Sequence, residues 1–90
     1  MSATLVVRHT VADYSAWRQV YDELEPLRVQ HGCTAKRVLR LPDNGNDVLI
    51  THDFPSVQQA GEFASSAELK AGMQRAGVDG PPQIEIFDVA

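Results

Sequence analysis

The sequence predicts an α+β fold, in which four strands and two helical regions follow the order β-α-β-β-α-β. Three observations lead to this prediction. An amphipathic helical stretch follows a first strand-like segment, a run of turn-forming residues joins two more such segments, and a second helical stretch precedes a last one. The 90 residues suit a single domain, residues 1–90, because no repeat or linker divides them.

The first strand is predicted over residues 4–11, where side chains alternate between two faces. Leu5, Val7, His9 and Val11 share one face, and they make it largely apolar. The other face is mixed, because it carries Val6, Arg8 and Thr10. This alternation predicts a strand with one side on the core.

An aromatic stripe organises the first helix. Tyr14, Trp17, Tyr21 and Leu24 recur at spacings of three and four residues, which places them on one side of a helix. Asp13 precedes them and is a good N-cap, because its carboxylate can accept hydrogen bonds from the free amides of the first turn. The stripe needs an apolar sheet face to pack on.

Two residues shape the end of this helical region. Pro26 lies inside the helical pattern, where it removes a backbone donor and crowds the preceding turn, so a kink is expected there. Gly32 is a natural left-handed stop at the end of the pattern.

The second and third strands are predicted over residues 33–41 and 47–54, and they form a hairpin. The segment 42–46 is a strong turn signal, because it combines Pro, Asp, Asn and Gly. Asn44 and Gly45 are predicted at its central positions, where Asn-Gly favours positive φ.

The second helical region is predicted over residues 56–76. The segments 56–59 and 65–68 both match the capping-box pattern, so the region is expected to break or bend near Ser65. Gly77 is predicted to close it. A rigid connection over 78–82 and a last strand then follow. That strand is predicted over residues 83–89.

Chain connectivity predicts the sheet order. The hairpin makes strands two and three antiparallel neighbours, and a right-handed crossover then places strand three between strands one and two. This is the ferredoxin-like plan, with both helical regions on one face of a four-stranded antiparallel sheet. The open face retains apolar side chains, and such a face is expected to be buried against a second copy, giving a homodimer. These side chains are Val6, Val38, Leu49, Phe87 and Val89.

Composition excludes several classes of function. The net charge of −4 and the scattered basic residues argue against a nucleic-acid partner. No apolar run approaches the ~20 residues of a membrane span. Cys33 is the only cysteine, so no intrachain disulfide is expected, and without a signal-peptide pattern a cytoplasmic location is predicted. Cys33 follows a helix C-terminus, where a nucleophilic role is not expected.

Three segments resemble the dimeric α+β barrel superfamily, which includes the antibiotic biosynthesis monooxygenases. They are VADYSAWR at 11–18, FASSAELK at 63–70 and AGVDGPP at 76–82. The resemblance implies a barrel of two ferredoxin-like protomers. It implies one of the superfamily's activities, which include cofactor-independent oxygenation of polyketide-type aromatics, haem degradation and isomerisation.

The sequence departs from the oxygenase and haem-degrading members at three places. Those members resemble each other in an Asn on the first strand, a Trp at or just after the end of the third strand, and a His in the second helical region. Here the segment 4–11 has no Asn, 52–54 reads His-Asp-Phe, and Phe63 stands near the expected His. A haem-degrading triad is therefore not expected.

His9 and His52 are the candidate catalytic bases, because an imidazole can take up a proton near neutral pH. Both share the apolar parity of their strands, so they are expected to line a pocket beneath Trp17 and Tyr21. The alternative is that each is a hydrogen-bonded structural histidine. Antiparallel pairing would separate them by ~13 Å along the strands, too far for a shared metal ion. No metal or cofactor is expected.

The predicted substrate-binding residues are mostly aromatic. They are Trp17, Arg18, Tyr21, Phe54, Phe63 and Met73. Deprotonation of an acidic carbon or phenol by a histidine would leave an enolate for Arg18 or Tyr21 to steady. The alternatives are that the aromatic stripe is plain core and that Arg18 is a solvated charge.

Two functional classes therefore stay open. One is a cofactor-free monooxygenase or isomerase acting on a small aromatic or polyketide-like compound. The other is a dimeric module that binds a small apolar or aromatic ligand, or a protein, without catalysis. A hollow that holds His52 and a convergent donor favours the enzyme, whereas a closed apolar space favours the module.

Overall fold

The computed structural model describes residues 2–90 of the chain. In chain order its elements are β1 (Ala3–Val11), α1 (Tyr14–Glu23), α2 (Glu25–Gln30), β2 (Ala35–Leu41), β3 (Asn44–Phe54), α3 (Val57–Ala64), α4 (Ala67–Arg75) and β4 (Val78–Asp88). The predicted β-α-β-β-α-β order is confirmed, with each helical region divided into two helices.

The four strands form one antiparallel sheet in the order β2-β3-β1-β4. The predicted position of β3 between β1 and β2 is confirmed. Leu5 pairs with His52, and Val7 pairs with Ile50, so the buried sides of the two central strands coincide. The hydrophobic core lies on this side, and the helices cover it. No helix among residues 2–90 is both long and apolar enough to cross a membrane.

The first helical region divides next to its proline. Asp13 caps α1 as predicted, with its carboxylate accepting from the Ser15 amide. The predicted kink at Pro26 is wrong, because α1 ends at Glu23 and a new helix begins at Glu25. Pro26 lies in the first turn of α2, where its missing amide hydrogen and fixed φ are tolerated. Gly32 follows with a φ of +86°, as predicted.

The turn between β2 and β3 differs from its prediction. Leu41 pairs with Asn44, so the two central residues are Pro42 and Asp43 rather than Asn44 and Gly45. No non-glycine residue within 2–90 has a positive φ, and Gly45 does not have one either. Proline fixes the φ that the first central position of a type I or II turn requires. β3 therefore begins at Asn44, three residues before its predicted start.

One of the two predicted caps in the second helical region is displaced by one residue. Ser56 caps α3, and its hydroxyl accepts from the Gln59 amide at 3.1 Å. The second cap is Ser66 rather than Ser65, because the Ser66 hydroxyl accepts from the Leu69 amide. Ser65 instead ends α3 and donates to the Gly61 carbonyl at 2.8 Å. The predicted break near Ser65 is confirmed.

β4 begins earlier than predicted. Residues 78–82, predicted as a connection, already belong to the strand, with Val78 paired to Val11 and Asp79 paired to Thr10. The register shifts between Arg8 and Thr10, and Gly80 has a φ of +78°. β4 is an edge strand, where proline is tolerated because one side of the strand has no neighbour to bond.

The open sheet face is half apolar, as predicted, but one of the residues predicted to lie on it is replaced by its neighbour in the chain. Val38 pairs with Ile50, so it lies on the helix side and packs partly against the core. Leu39 pairs with Leu49 and takes its place on the open face. A strand that pairs one residue out of step presents its alternate side chains, which is the physical reason for the error. Phe87 remains 53% exposed on this face.

Candidate functional site

A cavity lies between the sheet and the helices, under the aromatic stripe of α1. The cavity has a volume of about 40 Å³, enough for roughly three waters. Six of the predicted pocket residues line it. They are His9, Trp17, Tyr21, His52, Phe63 and Met73. The other predicted residues, Arg18 and Phe54, are outside the lining.

The cavity has one partly open side. Its lining residues are buried except for Leu24 and Met73, which are half-buried. Leu24 follows α1, and Met73 lies on α4, so the mouth is between these two helices. The cavity floor is the sheet, where Val7, His9, Ile50 and His52 face inward.

Tyr21 and His52 meet at one end of the cavity. The Tyr21 hydroxyl and His52 Nε2 are 3.0 Å apart and hydrogen-bonded, and both side chains are buried. His52 Nδ1 has no hydrogen-bond partner within residues 2–90. In the tautomer that carries its hydrogen on Nε2, the imidazole donates to Tyr21 and keeps a free lone pair on Nδ1. That lone pair can accept a proton from a ligand.

His52 is neutral at pH 7. Burial lowers the pKa of His52 to about 4, and the nearby charges of Arg28 and Lys36 add to the effect of burial. The Asp53 carboxylate acts in the opposite direction. A neutral imidazole is the form that can take up a proton, whereas a low pKa makes it a weak base in the empty site. An anion beside it would raise its proton affinity.

Arg28 is a buried cation beside this pair. Its side chain is 1% exposed, Nη2 donates to the Tyr21 carbonyl at 2.7 Å, and Cζ lies 3.9 Å from the centroid of the Tyr21 ring. Nε has no hydrogen-bond partner within residues 2–90. Burial lowers the pKa of Arg28 from its ordinary value, yet a guanidinium stays charged at neutral pH.

Arg28 is not among the predicted site residues, although its position carries a signal. Trp17, Tyr21, Leu24 and Arg28 continue one series with spacings of four, three and four residues. Each of the four lines the cavity. An arginine that falls on the apolar side of a helical pattern is thus a candidate for a buried charge.

His9 occupies the other end of the cavity. It is buried and packs edge-on against Trp17 with 5.7 Å between ring centroids. Neither ring nitrogen has a hydrogen-bond partner within residues 2–90. Burial lowers the pKa of His9, and the Asp47 carboxylate opposes the shift. Nothing in the described chain groups three or more metal-binding side chains.

A row of aromatic rings joins the two histidines. Trp17 stacks on Tyr21 at a centroid distance of 4.9 Å, and Tyr21 stacks on His52 at 5.9 Å. Phe63 contacts the His52 ring edge-on at 5.4 Å. Planar surfaces of this kind suit a flat ligand, and they also hold the His52 ring in one orientation.

Arg18 and Phe54 have structural contacts outside the cavity. Arg18 pairs with Asp22 at 3.1 Å and donates to the Tyr14 hydroxyl, and its side chain is 42% exposed. Phe54 is fully buried behind Phe63, with 5.4 Å between ring centroids. Phe54 therefore supports the cavity wall without forming its surface.

Solved structures of three bacterial proteins are similar to this chain. A Bordetella bronchiseptica protein, provisionally named an antibiotic biosynthesis monooxygenase, has a TM-score of 0.82 at 15% identity and covers 99% of this chain and 97% of its own. SnoaB, a cofactor-independent oxygenase from Streptomyces nogalater, has a TM-score of 0.81 at 14% identity, with coverages of 99% and 93%. A Caulobacter crescentus protein, also provisionally named an antibiotic biosynthesis monooxygenase, has a TM-score of 0.76 at 18% identity, with coverages of 99% and 90%.

This chain has the antibiotic biosynthesis monooxygenase-like fold. The predicted superfamily resemblance is thereby confirmed at the level of the fold. No family model matches the sequence, and no curated protein matches it either. A shared fold does not determine chemistry, so what this site can do depends on its own side chains.

Gly72 of the monooxygenase-like fold sets the width of the cavity mouth. A Cβ atom there would lie 2.7 Å from Leu24 Cδ1, whereas a Cβ at Gly61 of α3 would meet nothing within 4 Å. Alanine in a helix is favoured over glycine by about 1 kcal/mol, and overpacking acts against it. Gly61→Ala is expected to raise the free energy of unfolding by about 0.5–1 kcal/mol. The free energy of unfolding of Gly72→Ala is expected to be about 1 kcal/mol lower than that of Gly61→Ala.

Urea denaturation of both variants measures this difference, with Gly61→Ala as the matched control. Equal gains in the two variants would mean that Leu24 moves aside freely, so that Gly72 does not control the mouth.

Proposed function

We propose that the protein is a cofactor-free enzyme that deprotonates a small aromatic or polyketide-like compound and oxygenates or isomerises it. The observation that carries the proposal is the buried pair of His52 and Tyr21 in a cavity, beside the Arg28 guanidinium. The fold it shares with SnoaB, a cofactor-independent oxygenase, supports the monooxygenase reading. Because the sequence departs from the oxygenase pattern at three places, different residues would carry out the chemistry in this chain.

His52 supplies the base in this proposal. Its free ring nitrogen removes a proton from an acidic carbon or phenol, and Tyr21 holds the imidazole in place through Nε2. The product is a ligand anion next to an imidazolium. Tyr21 and Arg28 are close enough to steady that anion, because both line the same end of the cavity. Arg18, the predicted alternative, is paired outside it.

The oxygenation balances without an added reductant. The substrate supplies all four electrons that reduce dioxygen. The ligand anion gives two as a carbon–oxygen bond forms at the deprotonated carbon to yield a hydroperoxide, and the second carbon–hydrogen bond of that carbon gives the other two as the oxygen–oxygen bond breaks. One oxygen atom remains as a carbonyl, and the other leaves as water with the two hydrogens of that carbon. In an isomerisation the same anion is reprotonated at another carbon, and no dioxygen is consumed.

Oxygen uptake with a panel of hydroxylated aromatics tests the proposal. We expect uptake without added metal or cofactor, and a loss of about 10²- to 10⁴-fold in kcat/KM for His52→Gln. His31→Gln is the matched control, because His31 is half-buried and outside the cavity lining. Product formation without oxygen uptake would indicate the isomerase. Unchanged turnover in His52→Gln and His9→Gln would remove the proposed bases.

A non-catalytic binding module is the second candidate function, and the size of the cavity favours it. The cavity holds roughly three waters, and most of its lining is apolar or aromatic. A ligand bound by the wild-type protein, with no turnover of any compound in the panel, would identify such a module.

We also propose that two copies associate through the open sheet face, in a reducing compartment such as the cytoplasm. Leu39 and Phe87 are 39% and 53% exposed there, and Leu49 lies between Arg8 and Leu39 on the same face. Sedimentation at micromolar concentration is expected to give a dimer, and Leu49→Asp to give a monomer. Glu68→Asp, on a helix away from this face, is the control. A monomeric wild-type protein would contradict the association.

A further inference from the structure

Every buried side-chain nitrogen or oxygen that has no hydrogen-bond partner within residues 2–90 belongs to a residue that lines the cavity. These atoms are both ring nitrogens of His9, Nε of Arg28 and Nδ1 of His52. Native interiors pair most of their buried polar groups, because an unpaired one has lost its hydrogen bonds to water without a replacement. Unpaired polar atoms confined to one cavity point to a polar ligand.

Arg28 is the most demanding of these groups, because its charge is buried. Its carboxylate neighbour is Glu25, whose Oε2 lies 3.5 Å from Nη2. The Glu25 side chain is 42% exposed, and the same oxygen also pairs with Lys36. Two cations therefore share one half-exposed carboxylate. A buried charge with incomplete compensation favours a further anion nearby.

We propose that Arg28 is a specificity-determining residue that selects ligands which bind as oxygen anions, namely ionised phenols and enols. This inference rests on the proposed function for the location of the site, but not for catalysis. The guanidinium Nε–H donates to the anionic oxygen, with the Tyr21 hydroxyl beside it. Such charge-assisted bonds are stronger than neutral ones.

The shape of the cavity fits this class of ligand. Its volume admits the oxygen-bearing edge of a flat ligand ring, and the rest of that ring lies in the mouth between Leu24 and Met73. Ionised phenols and enols are planar, so they can lie against the stacked rings of Trp17 and Tyr21. Trp17 is the only tryptophan in the chain, so its fluorescence reports occupancy.

Near Arg28, the groups with a shifted pKa titrate outside the range in which a weakly acidic phenol ionises. The charged and titratable groups near Arg28 are Tyr21, Cys33, Asp22, Arg18, Glu25 and, at the same end of the cavity, His52. Burial raises the pKa of both Tyr21 and Cys33, and the pKa of His52 is about 4. His9 at the far end has a lowered pKa. A change in affinity between about pH 6.5 and pH 8.5 therefore reports ionisation of the probe and not of Tyr21, Cys33 or His52.

Binding of 4-nitrophenol and of 4-nitrotoluene, followed by quenching of Trp17 fluorescence, tests the inference without turnover. The two probes have nearly the same shape, but only the first can become an anion. We expect wild-type protein to bind 4-nitrophenol about 10- to 100-fold more tightly than 4-nitrotoluene at pH 8.5. We also expect affinity for 4-nitrophenol to rise as the probe ionises.

Arg28→Met should abolish the preference, and Arg75→Met should keep it, because Arg75 is an exposed residue on α4. The pH dependence of the wild-type protein needs no variant, so the inference stays testable if Arg28→Met does not fold. Equal affinity for the two probes, or no saturable quenching by either, would overturn the inference. If the wild-type protein binds the anion selectively but neither it nor His52→Gln turns over any compound, the proposed catalysis is contradicted and the inference is not.

Discussion

Lowering the pH from 7 to 4 is expected to reduce the free energy of unfolding by about 3 kcal/mol through His52 alone. The folded-state pKa of His52 is about 4, whereas the ordinary value is 6.5. The unfolded chain therefore binds a proton at a pH where the folded protein does not. The stability that the neutral His52 ring contributes is fully present above pH 6.5, is lost as the pH falls towards 4, and changes little below that.

Chemical denaturation at a series of pH values measures this loss. His52→Gln keeps a group that can bond to Tyr21 but does not titrate, so its stability should fall much less between about pH 6.5 and pH 4.5. His9, whose pKa is also lowered by burial, contributes a smaller loss in the same direction. An equal loss in wild-type protein and His52→Gln would show that His52 is not buried as a neutral ring.

Replacing Arg28 by alanine is expected to lower the free energy of unfolding by about 3–5 kcal/mol. The substitution removes a long buried side chain that stacks on the Tyr21 ring and bonds to the Tyr21 carbonyl. It removes one of the two donors to that carbonyl, the Leu24 amide at 3.2 Å being the other, and creates a void next to the existing cavity. Arg28→Met fills most of the same volume and removes the buried charge, so its cost is expected to be much smaller.

Thermal or urea denaturation of the two variants separates lost packing from lost charge. Arg75→Ala is the matched control, because this arginine is exposed and should change stability by less than about 0.5 kcal/mol. Arg28→Met should also raise the pKa of His52, since the Arg28 charge helps to lower it. If Arg28→Ala were as stable as Arg75→Ala, the guanidinium would not be part of the interior.

The features predicted from sequence are those that neighbouring residues determine. Asp13 and Ser56 form their caps because the interaction is confined to one turn of helix. The stripe through Trp17 and Tyr21 fixes which side of α1 is buried, and the alternation in β1 does the same for the sheet. With right-handed crossovers these local preferences are sufficient for the strand order.

The errors arise where pairing between distant segments decides the outcome. Asn44 and Gly45 suit a turn by themselves, but the β2–β3 register places Pro42 and Asp43 at its centre. The same register brings Val38 to the helix side. No local pattern contains the pairing partner, so the sequence alone left these positions undetermined.

The candidate site was predicted in part for the same reason. The parity of β1 and β3 brought His9 and His52 under the aromatic stripe, as the structure shows. Arg28 was missed, because a charged residue in a helix usually faces solvent. Its hydrogen bond to the Tyr21 carbonyl is what allows it to be buried, and that contact depends on the break between α1 and α2.

The proposed chemistry depends on His52 being a buried, neutral imidazole that is held by Tyr21 and set beside a cation. NMR titration of the His52 ring between about pH 7.5 and pH 3.5 tests it most directly. The predicted result is an apparent pKa of about 4, which rises when Arg28 is replaced by methionine. A pKa near the ordinary 6.5, unchanged in Arg28→Met, would contradict the claim, because it would place the ring in contact with solvent and away from the guanidinium.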